Sequence, residues 1–174
     1  DADVKAGGNG YMPISLQYGT YKAVAARDSS IAGGDTFEAF QNRSYKNKTV
    51  TANNTTDAKL VKDTKAAMGS KPVVLSVKCF KPCILSEVEP YADAIVVDFE
   101  TQAQAVLDIV SGKYEPSGLL PMQFPKDMET VEHQKEDVGR DMVPYIDSLG
   151  HAYDFAYGLD WKGVIKDARV EKYY

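Results

Sequence analysis

The chain has 174 residues, 44% hydrophobic and 26% charged, with a formal net charge of −5. That size suits one globular domain whose core needs neither disulfides nor metals. The acidic balance and the lack of a long Lys/Arg run exclude a nucleic-acid footprint. Apolar runs such as Ala94 to Val97 are far too short to insert across a bilayer.

Residues 1–56 read as an irregular, loop-rich segment. Gly7-Gly8-Asn9-Gly10 and Gly33-Gly34-Asp35 mark turns, and 42–56 is rich in Asn, Lys and Thr. Four Asn-x-Ser/Thr sequons start at Asn42, Asn47, Asn53 and Asn54 and read first as a polar surface loop. The chain opens with Asp1-Ala2-Asp3, not Met, in what looks like a loop, so a fragment of a longer protein is expected.

Regular structure is predicted over 57–163. Leu60, Val61, Thr64, Ala67 and Met68 fall at helical spacing, and Gly69 supplies a stop. Val73 to Val77 is a short run rich in β-branched residues and reads as a buried strand. Ser86-x-x-Glu89 has the pattern of a capping box. Ala94 to Phe99 is the next buried strand. Thr101-x-x-Gln104 is a second capping box, before a helix with Ala103, Val106, Leu107 and Val110 on one face and Gly112 at its end. Strands alternating with helices predict parallel pairing. Leu119 to Pro125 carries two prolines and is at best an edge strand. Residues 127–142 read as a surface helix or loop, and 164–174 as a loose polar tail. Two parallel strands alone are not a stable sheet. Either residues 1–56 hide further strands or the neighbours lie in preceding sequence.

Several chemistries lack support. There is no dinucleotide or phosphate loop, no H-E-x-x-H and no G-x-S-x-G elbow, and no cofactor is expected. Cys79 and Cys83, with three residues between them, lack the ligand number of a structural zinc site and the C-x-x-C spacing of redox motifs. They read first as partly buried thiols, with a local disulfide or redox pair as the alternative. His133 and His151 read as surface residues. Four carboxylates are candidate substrate contacts. Asp1 and Asp3 sit beside a glycine-rich loop, and Asp98 and Glu100 stand at the C-terminal end of a predicted parallel strand, where open α/β sheets bind ligands.

Residues 71–161 resemble the C-terminal domain of glycoside hydrolase family 3, the β-glucosidase family. Four stretches carry the resemblance. Lys71 to Pro82 looks like the family's strand and following Asn-Ser-Gly-Arg-Pro loop. Tyr91 to Phe99 looks like its V-D-A-I-L-x-A-W strand. Ala105 to Pro125 resembles A-x-x-D-x-L-x-G-x-x-x-P-S-G-R-L-P-x-x-F-P, and Tyr153 to Trp161 resembles F-x-Y-G-L-S-Y. There are departures. Asp98 to Ala103 stands where the family has Pro-Gly-Gln-Glu-Gly-Gly, Cys79 and Phe80 replace a small Ser-Gly, and Leu119 replaces Arg.

The resemblance implies an α/β fold: a layered α/β/α sandwich with a mostly parallel sheet, here incomplete or rearranged. It implies a retaining, exo-acting β-glycosidase that hydrolyses terminal β-linked sugars. The expected partners are an N-terminal (β/α)8 catalytic barrel, which carries the Asp nucleophile, and the carbohydrate substrate. The family's acid/base Glu comes from a loop opening this domain, yet residues 1–37 contain no Glu. No catalytic residue is therefore assigned, and the chain is expected to be inactive alone. A secreted or periplasmic location follows from the family's habit. The alternative reading is a non-catalytic carbohydrate-binding or structural module.

Overall fold

A computed structural model describes residues 16–26, 46–50, 54–135 and 138–172. Asp1 and Asp3, the two glycine-rich turns and the sequons at Asn42 and Asn53 lie outside them. The described strands form three two-stranded sheets. The central pair is parallel: β3 (Val74–Lys78) lies beside β4 (Ala94–Asp98), with Val74 opposite Ala94 and Lys78 opposite Asp98. Strands β1 (Tyr21–Lys22) and β2 (Thr49–Val50) form a short antiparallel ladder in a segment that reads as irregular. Strands β5 (Leu159–Asp160) and β6 (Gly163–Val164) form another. Among the described residues no third strand joins β3 and β4.

Helix α1 (Thr55–Met68) carries Asp57 in its first turn and Lys65 in its last, both favourable to the helix dipole. Gly69 ends it at φ 58°, a conformation that suits glycine, and its N–H bonds to the Lys65 carbonyl at 3.1 Å. The buried stripe differs from the expected one. Ala58 is buried and Val61 packs on the core, while Leu60 and Met68 face outward. Helix α2 (Ala103–Val110) is amphipathic, but its apolar side is open: Leu107 is 59% exposed, and Val110 is exposed as well. The strands are not covered on both faces either, since Val74 is exposed.

Neither expected capping box forms. Leu85–Glu87 and Glu89–Tyr91 are single 3-10 turns without side-chain caps. The Ser86 hydroxyl donates to the Lys126 carbonyl at 3.4 Å, and Glu89 Oε2 accepts from the Tyr145 hydroxyl at 2.7 Å. Gln102 precedes α2 without a side-chain bond, and Gln104 Nε2 donates to Asp108 Oδ1 at 2.7 Å. The side chains of Ser86, Glu89 and Gln104 are thus committed elsewhere.

The segment 119–125 is extended but forms no regular strand. Its backbone bonds run both ways. Phe124 N–H donates to the Tyr153 carbonyl at 2.9 Å, and Tyr145 N–H donates to the Phe124 carbonyl at 2.9 Å. Leu120 and the 156–157 segment exchange two more bonds at 2.7 and 2.8 Å. Pro121 and Pro125 have no N–H to give, which keeps the ladder irregular. The Phe124 side chain is 0% exposed. It packs with Val77, Leu85, Val88, Ala58 and Cys79 in the main core.

Two of the resembling stretches touch here. A Cβ on Gly158 would lie 2.1 Å from the Gly118 carbonyl oxygen, so only glycine allows this approach. Beyond it, Ile165 is buried and its N–H bonds to the Gly158 carbonyl at 3.0 Å. Arg169, in the short helix α4 (Ala168–Glu171), donates to the Ser117 carbonyl at 2.8 Å.

Two glutamates tie residues 16–26 to the rest. Glu87 accepts from the N–H groups of Tyr18 and Gly19 at 2.6 and 2.9 Å. Glu132, on helix α3 (Met128–His133), is 7% exposed and accepts from Ala25 N–H at 3.1 Å. Asp127 caps that helix, accepting from Thr130 N–H at 2.8 Å. Burial pushes the Glu132 carboxyl above the usual glutamate range, and hydrogen bonds from Tyr21 and Ala25 offset only part of that rise.

Gly158→Ala is expected to lose about 1–3 kcal/mol through overpacking. Gly118→Ala, whose added Cβ would meet nothing within 4 Å, should stay within about 0.5 kcal/mol of wild type. Urea unfolding of the two variants checks this, and equal midpoints would contradict it. For Glu132, the raised folded pKa means its stabilising contribution is full below the unfolded value of about pH 4.3 and is lost as pH rises from there through the higher folded value. Glu132→Gln should remove this loss, so its thermal midpoint should fall less than wild type's between about pH 4 and pH 7. Parallel profiles would contradict the assignment.

Candidate functional site

The C-terminal ends of β3 and β4 lie side by side because the strands are parallel and in register. Open α/β sheets bind ligands at that edge. Asp98 ends β4. Its Oδ1 accepts from the N–H groups of Glu100 at 3.1 Å and Thr101 at 3.3 Å, so the carboxylate shapes its own turn. Glu100 takes the left-handed conformation, φ 69°, and its exposed carboxylate reaches Lys78 Nζ at 3.6 Å. The structure thus brings Asp98 and Glu100 to one turn, with Asp98 positioning Glu100. An exposed pair such as Lys78–Glu100 adds little stability.

The loop after β3 leads to a second feature. Pro82, on that loop, lines a cavity of about 220 Å³ together with Pro121, Met122, Gln123, Gln134, Arg140, Met142 and Phe155. Gln123 is buried, and its amide donates to Asp154 Oδ1 at 2.8 Å and to the Met142 carbonyl at 3.2 Å. Both of its amide hydrogens are directed, which fixes the side chain. The Arg140 guanidinium lies 5.6 Å from the centre of the Phe155 ring and 3.8 Å from Asp154 Oδ2. A cation over an aromatic face is attracted by the ring quadrupole.

The lining thus mixes apolar side chains with a few fixed polar groups. None of its eight residues carries a carboxylate. A glycosidase needs two carboxyl groups flanking the bond, and the described lining residues supply none. Among the described residues no group of three or more His, Cys, Asp or Glu side chains is placed to hold a metal ion. No helix among them is long and apolar enough to cross a membrane.

The histidines differ from each other. His133 is exposed at the end of α3. His151 is half-buried, stacks on Tyr157 with ring centres 5.8 Å apart, and bonds through Nδ1 to Asp147 Oδ2 at 2.9 Å. Burial raises the Asp147 carboxyl, but bonds from the backbone and ring of His151 and from Leu149 N–H outweigh it and hold the group below the usual range.

Sequence reading missed Gln123, Arg140, Asp154 and Phe155. Gln123 occupies an unspecified position of the L-P-x-x-F-P pattern, and Arg140 sits in a stretch that reads as surface. No spacing rule links residues so far apart in the chain.

Residues 19–161 match the family described as the Glycosyl hydrolase family 3 C-terminal domain. The chain is also similar to named enzymes. It is 30% identical to Beta-glucosidase C of Emericella nidulans over 86 residues, 49% of this chain and 14% of that protein. It is 32% identical to Probable beta-glucosidase C of Aspergillus flavus over 85 residues, 49% of this chain and 13% of that protein. It is 30% identical to Periplasmic beta-glucosidase of Salmonella typhimurium over 106 residues, 52% of this chain and 14% of that protein. The chain thus spans 13–14% of the length of these curated relatives. No solved structure matches it. The match over 19–161 takes in most of the chain and all of the main core, and the chain belongs to the glycosyl hydrolase family 3 C-terminal domain family.

Proposed function

We infer that this chain is the C-terminal domain of a retaining, exo-acting β-glycosidase of the β-glucosidase kind, and that it forms one wall of the pocket for a terminal β-linked sugar. The observation that carries this is the family match over the folded core. In the intact enzyme a (β/α)8 barrel supplies the Asp nucleophile. That Asp attacks the anomeric carbon while a carboxylic acid protonates the leaving oxygen, and water resolves the covalent intermediate with the same group acting as base. The isolated chain is inactive because the nucleophile belongs to the barrel.

The fold is completed in the same way. We assign the α/β core to 57–163, with 1–56 as a loop-rich elaboration and 164–174 as a tail. The open faces of α2 and β3 become inner surfaces of an α/β/α sandwich and of the interface with the barrel. Large exposed apolar surface on a single domain marks such contacts. Glu100 faces the substrate from the edge of the parallel pair, and Asp98 sets its position. Asp1 and Asp3 are proposed as further substrate contacts. The Salmonella typhimurium relative is named periplasmic, which supports placing this enzyme outside the cytoplasm.

A second reading has one observation in its favour. A cavity with Arg140, Gln123 and Phe155 but no carboxylate also suits a non-catalytic carbohydrate-binding module. Turnover of an aryl β-glucoside separates the two. The enzyme containing this domain joined to its barrel should hydrolyse it, and the 174-residue chain should not. In the active enzyme Glu100→Gln should raise KM several-fold with kcat unchanged, as expected for lost uniform binding. Turnover by the isolated chain would overturn this reading. Sugar binding by the chain, with no activity in the joined form, would favour the module.

A further inference from the structure

We propose that Cys79 and Cys83 are a reversible redox site, closing into a local disulfide that staples the loop following β3. The site is independent of the glycosidase reading. Both cysteines are free thiols, with sulfurs 3.8 Å apart. A disulfide bond is about 2.05 Å long, so closure brings the two sulfurs closer than they stand as thiols.

The backbone holds the two residues in place. Cys79 N–H bonds to the Asp98 carbonyl at 2.8 Å, extending the parallel pairing by one residue. Next to Cys83, Ile84 N–H bonds to the Leu16 carbonyl at 2.7 Å, and Ile84 is buried. Between these anchors the loop runs outward, with Phe80 71% exposed. The sulfurs meet on the core side, where Cys79 is 4% exposed and Cys83 is half-buried. This gives a division of labour: Cys83 is the sulfur a reagent reaches first, and Cys79 is the sulfur waiting behind it. Exposure alone assigns the first contact to Cys83, since the hydrogen bond between the thiols, together with burial, raises that thiol; the same bond lowers Cys79 towards its thiolate, which suits it to the second attack.

The co-reactant is a small-molecule disulfide, RSSR. The Cys83 sulfur attacks one sulfur of RSSR, forming a mixed disulfide and releasing one RSH, which carries away the Cys83 proton. The Cys79 sulfur then attacks the Cys83 sulfur and displaces the second RSH, which takes the other proton. The two thiols are oxidised, RSSR is reduced, and the S–S bond of RSSR is exchanged for Cys79–Cys83. Pro82 lies inside the closed loop and lines the cavity, so closure also fixes that wall.

The test uses the 174-residue chain. It is held folded with oxidised glutathione, then denatured, alkylated and weighed by intact-mass spectrometry. The expected product is lighter by two hydrogen atoms and takes no alkyl group, and reduction restores two alkylatable thiols. Cys79→Ser should instead retain one glutathione on Cys83, because the resolving sulfur is gone. The wild-type measurement stands whether or not that variant folds. Two alkyl groups after oxidation, a glutathione that persists on wild-type Cys83, or disulfide-linked dimers as the main product would each overturn the proposal.

Discussion

The fold depends on one commitment, the two-sided bonding of the segment 119–125 around a fully buried Phe124. Its backbone donates to the 153–157 arm and accepts from Tyr145 on the other side. Without those bonds the buried N–H and C=O groups would be left unpaired, at about 1–3 kcal/mol each. With them, Phe124 is carried into the core formed by Val77 of β3 and the Leu85–Val88 turns. The cavity follows from the same arrangement. Its floor is the 121–123 stretch, and its walls are the 140–142 stretch, Phe155 and the Pro82 loop. The close approach of the Gly118 carbonyl explains why position 158 is glycine.

Elements driven by local composition were legible in the sequence. Both parallel strands and their pairing follow from β-branched runs separated by a crossover, and α1 ends at Gly69 as its glycine demands. What the sequence concealed was competition for side chains. Ser86 and Glu89 have the spacing of a capping box, but Lys126 and Tyr145 claim them from forty and fifty-six positions away. A local pattern has no way to register such distant partners. Segment 119–125 was read as an edge strand, yet it is bonded on both sides, because proline spacing allows single bonds where it forbids a ladder. Asp98 and Glu100 stand at the end of a parallel strand as expected, while Gln123 and Arg140 were invisible because their cavity is assembled from stretches far apart in the chain. Glu87 and Glu132 carried no motif either, although they hold residues 16–26 in place.

The described structure is well built in one region and open in another. Around Phe124 the side chains are buried and the polar groups are paired. Around α2 and the outer face of β3, apolar side chains face outward from elements whose pattern calls for cover. A two-stranded parallel sheet is also below the size at which such sheets stand alone. These features share one cause if the domain works against the remainder of a longer glycosidase, whose curated relatives are about seven times the length of the stretch matched here.

Amide hydrogen exchange, compared between the 174-residue chain and the joined enzyme, tests this most directly, because protection reports local opening segment by segment. Segment 119–125 and its bonded arms should be protected in both. Helix α2 and strand β3 should exchange fast in the isolated chain and become markedly slower in the joined enzyme. If α2 and β3 exchange equally fast in both forms, their open faces are not an interface, and the placement of this domain against a catalytic barrel is wrong.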